Sequence, residues 1–89
     1  MRAVISVVGR DRPGILAFAA NECAVRNINI EDVTQKVLQD LFTMIMIVTI
    51  PDDPESFHNF AREIEAAGDA QGLKIHVMHE DIFNAMHTI

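Results

Sequence analysis

The chain predicts an α+β fold of the ferredoxin-like, βαββαβ kind. That is a four-stranded antiparallel sheet with two helices on one face, plus a short C-terminal helix. Three observations predict it. Alternating stretches at 3–8, 33–38, 41–50 and 73–78 are interleaved with helical-period stretches after Pro13 and Pro54. The resulting order, strand, helix, strand, strand, helix, strand, is the split βαβ order, and right-handed crossovers put both helices on one side. Finally, 89 residues with 49% hydrophobic side chains suit one globular domain spanning 1–89.

The first strand alternates Ala3, Ile5 and Val7 with Val4, Ser6 and Val8. One face is fully apolar and the other mixed, as in a central strand. Gly9 to Leu16 then forms the turn into the first helix, with Pro13 expected in the first helical turn, where its missing N–H costs nothing. Ile15, Leu16, Ala19, Ala20 and Cys23 recur at helical spacing, and Glu22 and Arg26 form a favourable pair four apart. The helix is expected to reach about Arg26 and stop near Asn27, which tolerates a left-handed conformation. Cys23 falls on the inner stripe, as a small buried hydrophobe rather than a reactive thiol.

Asn27-Ile28-Asn29-Ile30 leads into the second strand. Gln39-Asp40 makes a tight turn, although it lacks the glycine such hairpins favour. The returning strand is apolar on both parities: Phe42, Met44, Met46, Val48 and Ile50 on one, Ile45 and Ile47 on the other. One helical layer covers only one face, so the other calls for a further cover, most simply a second copy. Asp53 and Pro54 suit the N-cap and first position of the second helix, whose inner stripe is Phe57, Phe60, Ala61, Ile64 and Ala67. His58, Arg62, Glu63 and Glu65 are expected to face out, and Gly68 and Gly72 to loosen and end the helix. After the last strand, residues 79–86 suggest a short helix with a sticky side of Ile82, Phe83 and Met86.

The formal net charge is -6, and the seven Lys and Arg residues are scattered. This argues against nucleic acid and against an anionic membrane surface. No segment is long and apolar enough to span a bilayer, and Met1-Arg2-Ala3 enters a strand directly, without a secretory signal. A single cysteine excludes an internal disulfide and fits a cytoplasmic setting. Ser6, Ser56 and Cys23 lack a His–acid arrangement, so no catalysis is expected. His76, His79, Glu80, Asp81 and His87 cluster in sequence as a metal alternative. His76 and His79 have opposite strand parity, however, and no recognised ligand spacing occurs, so no metal or other cofactor is expected.

Val7-Val8-Gly9-Arg10-Asp11-Arg12-Pro13-Gly14-Ile15-Leu16, followed one helix later by Asn27-Ile28-Asn29-Ile30, resembles the ACT domain family over the whole chain. The tail Ile82 to Ile89 resembles that of small stand-alone members. The first thirty residues are similar to the leading domains of glycine-cleavage regulators and formyltetrahydrofolate deformylases. The resemblance implies a regulatory module that binds an amino acid or related metabolite between two domains paired edge to edge. Carried over by position, Asp11, Gly14, Ile15, Leu16, Asn29 and Ile30 fall on that site.

The chemistry of these residues agrees in outline. Unpaired N–H groups at Gly14, Ile15 and Leu16 suit a carboxylate. Asp11 and the Asn29 amide oxygen suit an ammonium group. Arg10 and Arg12 either reinforce the carboxylate end or remain solvated loop charges, and Asn29 either binds ligand or bonds its own backbone. The expected protein is a non-catalytic sensor, a homodimer or higher homo-oligomer that binds a small amino-acid-like effector. The alternative is an interaction or scaffold domain without a small ligand.

Overall fold

A computed structural model describes residues 1–86. The elements are β1 (Arg2–Arg10), α1 (Ile15–Ala24), β2 (Asn29–Leu38), β3 (Leu41–Thr49), α2 (Pro54–Ala70), β4 (Lys74–His79) and α3 (Glu80–Met86). The strands form one antiparallel sheet in the order β2-β3-β1-β4, the ferredoxin-like arrangement the alternation predicts. The expected tail helix, α3, ends at the limit of the described residues. His87 lies beyond them, as do the last residues of the tail resemblance.

Pleat parity decides the two faces. Ala3, Ile5 and Val7 of β1, Met44, Met46 and Val48 of β3, and Ile75 and Val77 of β4 point to one side. There they join Ile15, Ala19 and Cys23 of α1 and Phe60 and Ile64 of α2 in one buried cluster. Of the predicted α2 stripe, Phe60 and Ile64 are fully buried, while Phe57, Ala61 and Ala67 are half-buried flanks. Cys23 is buried as expected, and desolvation raises its pKa to about 11, so the thiol stays protonated.

Several local expectations are corrected. Pro13 does not enter the helix. Gly14 is the N-cap at φ 91, a left-handed conformation that a β-carbon disfavours, and α1 begins one residue later. The other end closes earlier than Arg26. Ile28 N–H bonds the Cys23 carbonyl at 2.9 Å and Asn27 N–H bonds that of Ala24 at 3.1 Å, with Asn27 left-handed at φ 57. Gly68 does not end α2 but sits buried within it. A β-carbon there would stand 2.6 Å from the Ile75 side chain, so the glycine lets helix and strand touch. Leu73 precedes β4 rather than opening it. Glu65 does not simply face out: its carboxylate accepts the Val77 N–H of β4 at 3.1 Å. Glu31 forms an unanticipated bulge in β2. Gln39 takes the positive φ of 59 at the hairpin, where glycine would have been expected.

The α2 cap is as predicted. Asp53 accepts from the Glu55 N–H at 3.3 Å and from Ser56 Oγ at 2.9 Å, with Pro54 at the first turn. The Glu22–Arg26 pair forms at 3.0 Å and extends across to Glu63 of α2 at 2.9 Å, tying the two helices together on their outer side.

Candidate functional site

The turn between β1 and α1 is held from two directions. Asp11 N–H donates to the Asp40 carbonyl at 2.7 Å, which fixes the turn against the β2–β3 hairpin. Arg12 Nη2 donates to the Gln71 carbonyl at 2.5 Å, which fixes it against the end of α2. Arg12 is therefore a strut of the turn. Arg10, exposed at the end of β1, makes no ion pair among the described residues. Both anchors are backbone carbonyls far away in sequence, and no local pattern announces them.

Gly14 brings no side-chain cap to α1. The amides of Ile15 and Leu16 therefore remain at an uncapped, positive helix end. Space beside Gly14 is open, with no atom within 4 Å of where a β-carbon would stand. Only the backbone of Ile15 is available, because its side chain is buried in the core. The Leu16 and Asp11 side chains are exposed.

Asn29 and Ile30 lie elsewhere. Asn29 pairs with Thr49, which pairs with Arg2 at the start of β1, whereas the turn follows Arg10 at the other end. At about 3.3 Å per residue the two groups are about 26 Å apart along the strand. Asn29 Nδ2 donates to Glu31 Oε2 at 3.0 Å, and Thr49 Oγ1 donates to the same oxygen at 2.5 Å. These bonds, that from Thr49 first, hold the Glu31 carboxyl below its usual pKa. The Asn29 amide oxygen keeps no partner among the described residues. Ile30 packs partly against the core.

One protomer thus brings together Asp11, Gly14, Ile15 and Leu16, with Arg10 beside them, and leaves Asn29 and Ile30 apart. Depressions lie on the second sheet face, between α2 and the segment around Arg26 and Ile28, and beside Phe57 and His79. The residues of the metal alternative diverge as their parity requires: His76 lies on the second face and His79 on the helix side. Among the described residues, no three His, Cys, Asp or Glu side chains converge to hold a metal. No helix is long and apolar enough to cross a membrane.

Residues 2–78 match the family model for the ACT domain. The chain is 43% identical over 88 residues to a UPF0237 protein of Methanopyrus kandleri, covering 99% of this chain and 98% of that one. Among solved structures, an ACT domain protein from Streptococcus pneumoniae superposes with a TM-score of 0.81 at 37% identity, covering 93% of both chains. Two more distant structures speak for the fold alone. A putative glycine cleavage system transcriptional repressor reaches 0.75 at 23% identity, over 86% of this chain and 44% of that one. A formyltetrahydrofolate deformylase from Pseudomonas putida reaches 0.74 at 10%, over 88% and 28%. With the element order, the Gly9–Leu16 turn and a full-length match in agreement, the chain belongs to the ACT domain family.

Proposed function

We propose that this protein is a non-catalytic regulatory module that binds a small amino-acid-like effector where two copies meet along β2. The observation that carries the reading is the turn at 11–16. It sets a carboxylate, Asp11, beside an uncapped helix start with open space at Gly14. An ammonium group suits the first and a carboxylate the second, so a zwitterion meets both at once. Arg10 stands ready for the carboxylate end.

The separation of Asn29 from the turn supports a shared site. β2 is an outer strand, and antiparallel pairing with a second β2 about a two-fold axis brings the partner's strand start towards this turn. The partner's Asn29 amide oxygen then completes the ammonium pocket. Regulation fits what two solved structures of similar fold are named for, a putative glycine cleavage system transcriptional repressor and the regulatory subunit of aspartate kinase from Thermus thermophilus. Effector bound across the pair favours the paired state by mass action.

A thermal melt against a panel of amino acids tests the reading. At least one is expected to raise the melting temperature, and Asp11→Ala is expected to abolish that rise while leaving the unliganded melt in place. No shift from any amino acid, or an unchanged response in Asp11→Ala, overturns it.

A further inference from the structure

The second face of the sheet is only half covered. Its rows can be read from the strand register. Asp32, Ile47, Val4 and Met78 lie in one row, Thr34, Ile45, Ser6 and His76 in the next, and Lys36, Thr43, Val8 and Lys74 in the one after. Beyond them Leu38, Leu41 and Arg10 end the sheet beside the β1–α1 turn. In the first of these rows Val4 is 2% exposed although it stands outside the core cluster. Its cover is α3, which packs against β1 and β4 and is tied to Arg2 of this face through Glu80 at 3.0 Å. Towards the turn the cover stops. Val8 is 37% and Ile45 40% exposed, and Leu38 and Leu41 are exposed with them.

This bare half is cationic in a chain of net charge -6. Arg10, Lys36 and Lys74 surround its apolar floor, its two strand rows contain no Asp or Glu, and His76 at its margin faces Glu65 of α2 at 3.9 Å. A shallow depression of about 240 Å³ lies over Val8, Ile45, Ser6 and Thr34. α3 has the opposite character. It carries Glu80 and Asp81 and no Lys or Arg. Phe83 is half-buried, while Ile82 and Met86, four apart on one side, are 56% and 59% exposed. The Asp81 side chain is almost wholly exposed.

We infer that the bare half of the second face is the docking site for α3 of a second copy, and that the exchange is reciprocal. A two-fold axis lying between the sheets and across the strands reverses the order of the rows. It carries each α3 from its own end of the face to the uncovered end of the other. Ile82 and Met86 then cover Val8 and Ile45, and Asp81 meets the lysine row. The two α3 helices together fill one layer between two sheets. This surface is separate from the β2 edge, so the two pairings are independent and together give an assembly of four.

Sedimentation of the full chain tests the inference. Ile82→Asp and Ile45→Asp, both at exposed positions, are each expected to halve the copy number of the wild type and to keep its circular dichroism. Mixing the two variants is expected to restore part of the larger species. The intact α3 of one meets the intact face of the other, giving one good contact of two. Lys74→Glu is expected to weaken the assembly at low salt, as a second variant that leaves the apolar floor alone. A one-copy wild type overturns the inference, as does an Ile82→Asp variant with unchanged copy number or a mixture with no gain over its parts. The effector melt at the β2 edge is read separately: Ile82→Asp leaves Asp11 and the turn as they were.

Discussion

The closed and open sides of this molecule are built from similar residues and end in different states. On the closed side, Met44, Met46 and Val48 of β3 join the helices in one cluster and are almost wholly removed from water. The outer strand there, β4, has its Val77 N–H taken by Glu65. On the open side, Ile45 and Val8 face outward on the same two central strands, and among the described residues no element covers β2 on that face. A strand that is apolar on both parities is thus satisfied once by its own chain and once only in part. The closed side specifies the fold, and the open side is where the chain has groups to offer.

Neighbouring residues of one strand give the sharpest contrast. Met46→Ala, on the closed face, is expected to cost about 2–5 kcal/mol of unfolding free energy by leaving a cavity. Ile45→Ala, one residue away, is expected to cost about 1 kcal/mol in the separated protomer, because much of its surface already meets water. Urea unfolding of both at low protein concentration checks the pair; equal losses erase the distinction between the faces.

The outer strands give the next contrast. Glu65→Ala removes the acceptor from Val77 and is expected to cost about 1 kcal/mol. It also frees the Val77 N–H at the outer margin of the sheet, so growth beyond the parent's own assembly is expected in light scattering. The smallest effect belongs to Glu31 at the bulge of β2. The Thr49 and Asn29 bonds lower its folded pKa below that of the unfolded chain. The unfolded state therefore binds the proton more readily as pH falls. The contribution of Glu31 is present above the ordinary glutamate range and is lost as pH falls through the folded pKa. Glu31→Gln is expected to flatten this acid limb slightly in melts taken from neutral to acid pH.

Much of this architecture was legible residue by residue. Phe60 and Ile64 announce the inner side of α2, Asp53-Pro54 its start, and Asn27 the close of α1. Such features rest on neighbours within one or two turns. The misread features rest on partners brought by register. Gly68 has the same one-letter meaning whether it ends a helix or admits Ile75, and only packing against β4 decides. Glu65 looks like any outer-face acid until β4 lies alongside. Pro13 misled because Gly14 takes a left-handed conformation that moves the helix start past it. For the candidate site, the chemistry of the turn is legible in its own residues, whereas the distance to Asn29 is a property of strand direction. That distance follows from β1 and β2 running in the same direction, so the end of one cannot lie beside the start of the other.

The small clasp between Glu65 and Val77 has a consequence for growth. A sheet that accepts neighbours on both margins has no reason to stop adding copies, and that is how fibres begin. Here one margin already has the Val77 N–H, near its middle, engaged from within, which disfavours a neighbour there. Any lateral joining through the remaining margin uses up that margin on both copies, so it terminates after a single step.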